Sequence, residues 1–332
     1  MVQVRLVLRP GTETSEPVIR GEVGVDGLSV DVVTTVNGHP IRGFADLHAA
    51  ADDCDAHSVG SATLIQYNAL GVGEPRQYLP VFHARGPKLR NLLVRDDGQI
   101  TAPADLKGRR VGVTSYSNTA SIWLRGVLQH DFALDPRDIV WVEGEQDFIK
   151  VQTQTIRREP PGGRKPERGL LVGMLKDGEI DALCWPGGGG YYAFYPGGPI
   201  DRFCEAQGGL RSLFENPQEI IDHYRAAQVD HITETLAIKR SFVDREPEAP
   251  ALLLELFRRA AALVREHMST EERDRQRKEA EILGRDPFDY RFGPVEMNSI
   301  ASLARFSHEQ EIIPRVPPLE ELVPASLRQQ PG

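Results

Sequence analysis

Between Arg109 and Gln129 the chain reads R-R-V-G-V-T-S-Y-S-N-T-A-S-I-W-L-R-G-V-L-Q, an apolar strand that runs through a polar turn into an amphipathic helix. A strand over Val111 to Val113, followed by a helix from about Ala120 to Gln129, is a βα unit. Repeated units of this kind commit a chain to mostly parallel sheets with helices packed on their faces. The pattern recurs: Trp141 and Val142 mark a second strand, and E-I-D-A-L-C-W marks a third after the helix that precedes Lys176. The fold class is therefore α/β.

The flanking segments fit the same class. Val2, Val4, Leu6 and Leu8 alternate with polar Gln3 and Arg5, a strand pattern, and Gly24 and Gly27 punctuate two further extended pieces. Asp46 to Asp53 reads as a short helix, and Tyr78 to Phe82 and Asn91 to Val94 as strands. The polar run R-D-D-G-Q-I-T-A-P-A-D-L-K-G-R-R, with Gly98 and Pro103, marks a boundary before the βα unit. Later, H-I-T-E-T-L-A-I-K-R reads as a strand and A-P-A-L-L-L-E-L-F-R-R-A-A-A-L-V-R-E-H-M as a helix. The charge run E-E-R-D-R-Q-R-K-E-A-E is a solvated helix face. R-R-E-P-P-G-G-R-K-P-E-R-G, from Arg157 to Gly169, has the composition of a loop suited to cover a cleft.

Charge and composition remove several function classes. With 39 basic against 48 acidic residues, a net charge of -9 and no basic stripe, nucleic acid is not expected as a partner. No apolar run approaches the roughly 18 residues of a membrane span, and the N-terminus reads as a strand rather than a secretory leader, so a cytoplasmic protein is expected. Three cysteines, Cys54, Cys184 and Cys204, without a C-x-x-C pair, read as reduced thiols. His48 and His57 flank Asp52, Asp53 and Cys54 at no zinc-like spacing, so no metal is expected. There is no G-K-[ST] and no G-x-G-x-x-G opening a helix, so no cofactor is expected either. Whether the chain forms a homo-oligomer is left open.

The turn Thr114 to Thr119 has two readings. A helix N-terminus offers backbone N–H groups and partial positive charge to a carboxylate, and Ser115, Tyr116, Asn118 and Thr119 add donors. The same residue types also cap helices where nothing binds. A Gly-rich stretch after the third strand, P-G-G-G-G-Y-Y-A-F-Y-P-G-G-P, would let backbone approach a ligand, with Tyr191 to stack on it. A small carboxylate is the ligand that suits these features best.

Together these motifs resemble the 4,5-dihydroxyphthalate decarboxylase-like family, relatives of the type II periplasmic binding proteins. The resemblance is carried by D-L-K-G-R-R-V-G, the following Tyr116 and the T-A-S-I-W-L-R-G helix, and continues through W-V-E-G, G-E-I-D-A-L, D-P-F-D-Y and H-E-Q-E-I-I-P-R-V-P-P-L-E-E-L. It implies a two-lobed type II periplasmic-binding-protein-like fold with the ligand in the cleft between lobes. Lobe I would comprise 1–97 and 231–332, and lobe II 98–230. Where the family shows an R-x-x-R-H-S-like run, this chain has A-R-G-P-K-L-R-N, with Arg85 matching, Lys88 standing in for a cation, and Leu89 or Arg90 in place of the histidine. Where the family tends to carry a histidine on the returning strand, Glu234 stands, with His231 three residues earlier. The resemblance implies a cofactor-independent decarboxylase for a small hydroxylated aromatic or related carboxylic acid. Arg85, Lys88, Arg90, Ser115, Tyr116, Asn118, Thr119 and Tyr191 would bind the substrate, and Glu234 or His231 would handle protons. The alternative is a non-catalytic solute-binding protein for a small carboxylate.

Overall fold

In the computed structural model, which describes residues 1–145, 147–162, 169–185, 187 and 197–328, the chain divides into two compact units. Unit 1 holds Met1–Arg85, Ile232–Ala301 and the stretch from Pro317; unit 2 holds Gly86–His231 and Ser302–Val316.

Unit 1 is built on strands β1 (Val2–Val7), β2 (Leu28–Val33), β5 (Ala56–Gly60), β6 (Arg76–Ala84) and β13 (Glu234–Lys239), with a small hairpin of β3 (Thr35–Val36) and β4 (His39–Pro40) beside them. The sheet order is β2-β1-β5-β13-β6. β1 runs parallel to β2 and β5, whereas β13 lies antiparallel between β5 and β6. The alternation in β1 buries Val2, Val4 and Leu6 and leaves Gln3 and Arg5 exposed. β13 is flanked on both edges, and every position of it except Lys239 is buried. The helix Ala249–His267 presents Leu253, Leu254, Phe257, Ala260 and Ala261 to the core at helical spacing.

Unit 2 carries β7 (Leu92–Arg95), β8 (Arg110–Val113), β9 (Val140–Glu143), β10 (Arg157–Glu159), β11 (Ala182–Cys184) and β12 (Leu210–Ser212), in the order β10-β9-β8-β11-β7-β12. All run parallel except β7, which is antiparallel to both neighbours. The helix Thr119–Phe132 follows β8, as the sequence predicts, and runs three residues beyond Gln129 to end where Ala133 turns left-handed at φ 52°.

Two expectations shift. Residues 86–97, assigned from sequence to the first lobe, belong to unit 2, because β7 takes its hydrogen bonds from β11 and β12. Ser302–Val316 joins unit 2 as well. The Arg157–Gly169 run begins not as a loop but as strand β10, paired in register with Val140–Val142 of β9; residues 163–168 lie outside the described residues. Ion pairs fasten this edge: Arg110 to Glu159, and Arg158 to Glu143 and Asp147.

Candidate functional site

In a parallel sheet the loops at the carboxyl ends of strands are free to carry chemistry. In unit 2 that edge is defined by register: Val113 of β8 lies beside Glu143 of β9 and Cys184 of β11, and Cys184 lies beside Leu92, where antiparallel β7 begins. The turn after β8 and the run Lys88–Asn91 before β7 therefore lie at the same end of the sheet, with β11 between their strands. His231 joins them, since the Lys88 backbone N–H donates to its Nδ1 at 3.2 Å.

The polar turn is first of all a cap. Asn118 Oδ1 accepts from the N–H groups of Ala120 (3.0 Å) and Ser121 (3.4 Å), closing the first turn of the helix. The N–H groups of Tyr116 and Ser117 donate to the chain's own carboxylates, Glu143 Oε2 at 3.0 Å and Asp147 Oδ1 at 2.7 Å. Arg158 ties both acids together, at 2.7 Å to Glu143 and 2.6 Å to Asp147. These two amides are thus satisfied by the chain's own carboxylates. Ser115 and Thr119 sit in the same turn, each mostly buried. Asn118→Ala is accordingly expected to cost about 1 kcal/mol of stability in urea unfolding, with Asn118→Asp close to wild type.

Tyr116 is corrected from ligand contact to core. Its ring lies 3.9 Å from the Arg125 guanidinium and 4.8 Å from that of Arg158, its hydroxyl donates to the Gln310 carbonyl at 3.4 Å, and burial pushes its phenol up to about 12. The Arg90 guanidinium is engaged by Asp201. Arg85 lies in unit 1, where it donates to the Pro287 carbonyl. Tyr191 lies outside the described residues.

Lys88 and His231 are the predicted residues whose surroundings are most unusual. Lys88 is only 4% exposed, and burial brings its ammonium down to about 8 against the opposing pull of Asp230 and Cys184. His231 lies flat on Trp123 (centroids 4.7 Å, 15°) and meets the Tyr224 ring edge-on at 5.8 Å. Burial, with Lys88 and His223 nearby, lowers its imidazole to about 3, so it is neutral. Because Nδ1 accepts from Lys88, the ring proton resides on Nε2. Tyr224 Oη donates to Asp230 Oδ1 at 2.5 Å. Trp123, Tyr224 and Asp230 were not singled out from sequence; the adjacent acid and imidazole in D-H, residues 230 and 231, are the only local signal for this group.

In unit 1, Glu234 opens β13, with its side chain 2% exposed and Arg9 Nε at 2.7 Å. Burial raises its carboxyl and Arg9 opposes the shift. The Arg9 backbone N–H donates to Ser58 Oγ at 3.2 Å. His83 on β6 is an imidazole that sequence reasoning passed over. Burial, aided by Arg9, lowers it to about 3.

Among the described residues no group of three His, Cys, Asp or Glu is placed to hold a metal ion. Nor is any described helix long and apolar enough to cross a membrane. A cavity of about 660 Å³ opens beside the Arg158 clasp. Its lining includes Glu143, Glu145, Asp147 and Glu159 against Lys150 and Arg158, a balance that disfavours an anion.

Two α/β units, each a mixed sheet with one strand reversed, define a fold class that solved structures share. The crystal structure of the periplasmic aliphatic sulphonate binding protein SsuA from Escherichia coli matches with a TM-score of 0.57, covering 97% of this chain and 91% of that one at 16% identity. The fold is the two-lobed type II periplasmic-binding-protein-like fold. A family model described as "NMT1/THI5 like" matches residues 86–156, within unit 2. A 4,5-dihydroxyphthalate decarboxylase of Pseudomonas putida is 31% identical over 218 residues, covering 63% of this chain and 77% of that protein. One of Comamonas testosteroni is 27% identical over 346 residues, covering 98% of both. The chain belongs to the 4,5-dihydroxyphthalate decarboxylase family.

Proposed function

We propose that this protein is a cofactor-independent carboxy-lyase that releases carbon dioxide from a small hydroxylated aromatic or related carboxylic acid. The observation that carries the reading is the end-to-end likeness to a decarboxylase, over 98% of both chains. The chemistry agrees with it. A ring made electron-rich by hydroxyls can take a proton at the carbon bearing the carboxylate and then hold the resulting charge, so it supplies its own electron pair. The enzyme must fix the carboxylate, deliver a proton and exclude water. Lys88 and the hydroxyls of Ser115 and Thr119 are the unit 2 groups suited to an anion, and the Nε2–H of His231 adds a neutral donor. In unit 1, burial raises the Glu234 carboxyl, a change that suits a group able to carry a proton.

The test is to incubate the purified protein with hydroxylated aromatic mono- and dicarboxylates, 4,5-dihydroxyphthalate among them, following thermal shift and carbon dioxide together. Stabilisation with gas release is expected for at least one acid. Stabilisation without gas from any of them would overturn the lyase reading and make the chain a binding protein for small carboxylates.

A further inference from the structure

A lysine is almost never fully buried unless it is paired. Lys88 stands at the carboxyl-end edge of the unit 2 sheet, 4% exposed, at the start of the segment that enters β7. Its place is fixed from two sides. Its own N–H is bound by His231, whose ring is held flat against the fully buried Trp123 at 4.7 Å. The chain then runs through the 3-10 turn Leu89–Asn91, where the Asn91 side chain donates to the carbonyls of Trp185 (2.9 Å) and Gly187 (2.6 Å) after β11. An ammonium placed by such a scaffold is costly to keep if a surface cation would serve equally well to attract an anion.

We propose that Lys88 is the proton donor of this lyase, delivering its ammonium proton to the ring carbon that bears the departing carboxylate. The inference rests on the carboxy-lyase reading above. The step balances. The N–H bond of the ammonium breaks and leaves its electron pair on Nζ, while a ring π pair forms the new C–H bond at the carboxylate-bearing carbon. The bond from that carbon to the carboxylate then breaks, its pair returns to the ring, and neutral carbon dioxide leaves. The Lys88 amine takes a proton back from solvent, so each turnover consumes one proton.

The neighbours suit this role. The titratable groups facing Lys88 are Asp230, Cys184 and His231. The Cys184 thiol is pushed up by burial and the His231 imidazole is pulled down, so both are neutral near pH 7 and neither competes for the proton. Asp230 favours the charged lysine against burial, leaving it near 8, where an ammonium is both populated and willing to give up its proton. His231 positions Lys88 through its backbone and is a positioning residue in this scheme.

The experiment compares wild type, Lys88→Arg and Lys88→Gln on the acid of the panel that wild type turns over fastest. Lys88→Arg keeps the positive charge but cannot release a proton near neutrality. It should lose about 10²- to 10⁴-fold in kcat while KM changes little. Lys88→Gln should lose kcat to a similar extent and raise KM as well. Because a buried arginine can disturb the fold, the wild-type pH profile is the second measurement: kcat/KM should fall about tenfold per pH unit above roughly pH 8. Turnover by Lys88→Arg within a few-fold of wild type, or a profile flat from pH 7 to 9.5, would overturn the role of Lys88 while leaving the lyase reading intact. Absence of gas from wild type with every acid would overturn the lyase reading itself, and the proton-donor role with it.

Discussion

Gly126→Ala should destabilise unit 2 by about 3 kcal/mol, although the same change in an exposed helix would stabilise it by about 1 kcal/mol. Gly126 faces inward on the helix Thr119–Phe132, and a Cβ there would meet the Phe306 ring at 2.1 Å, far inside any real contact. The ring has little room to retreat. His130 stacks on it at 5.0 Å and Trp123 meets it edge-on at 5.8 Å. Overpacking therefore outweighs the gain in helix propensity, and the displacement would reach Trp123 and, through it, the His231 ring stacked on its face. Measurement is straightforward, because all three tryptophans, Trp123, Trp141 and Trp185, belong to unit 2, so their fluorescence in urea reports that unit alone. Phe306→Leu added to Gly126→Ala should restore part of the loss. If Gly126→Ala were as stable as wild type, the close approach of helix and ring would not exist in solution.

The motifs that carry the family likeness serve mostly the folding of unit 2. In D-L-K-G-R-R-V-G, Asp105 accepts from the N–H groups of Thr101 and Ala102, both at 2.9 Å, Gly108 takes φ +78°, and Gly112 leaves room for Ile180, whose Cδ1 would lie 2.7 Å from a Cβ. In W-L-R-G, Arg125 binds Gln310 Oε1 at 2.7 Å and the Tyr116 carbonyl at 2.5 Å. Local signals of this kind are legible in sequence, as are the strand, turn and helix around them. The sheet that β7 joins is not, because its partners β11 and β12 lie far along the chain and nothing within the segment itself selects one sheet over another. β10 was hidden for a different reason. Its composition is that of a loop, and what makes it a strand is the free edge of β9, with Glu143 there to receive Arg158 and Arg110 of β8 to receive Glu159.

The site was legible in outline only. Sequence placed a polar turn at the carboxyl end of a strand, and the structure agrees, but which amides still face a ligand depends on Glu143 and Asp147, whose side chains return from β9 and the loop beyond it. Tyr116 reads as a ligand contact because it lies in a polar turn before a helix, and Arg90 because it stands in the run that resembles the family's cationic segment. Here Arg125 and Asp201 claim them. Lys88 shows the converse. A lysine in P-K-L-R-N carries no mark of burial, and its altered acidity exists only once the sheet edge has closed around it.

Acid should unfold unit 2 through His231. An imidazole whose ordinary value is near 6.5 is lowered to about 3 by burial in the fold. Between those values the unfolded chain binds a proton that the folded one refuses. Stability is therefore fully present above about pH 6.5 and is lost as pH falls toward about 3, at roughly 1.4 kcal/mol per pH unit for each such group. His83 in unit 1, also lowered to about 3, and His57, held well below the ordinary imidazole value by burial, give that unit the same dependence. Against a total stability of about 5–15 kcal/mol, a loss of this slope is large. Tryptophan-detected urea midpoints for unit 2 should fall steadily from pH 6.5 to 4.5. His231→Phe keeps a ring on Trp123 but gives up the acceptor for the Lys88 N–H, so it should be less stable at pH 7 by about 1–3 kcal/mol and markedly less sensitive to acid. Midpoints for His231→Phe that fall with pH as steeply as wild type would mean that His231 titrates normally in the fold. The buried, neutral ring that holds Lys88 in place would then have to be abandoned.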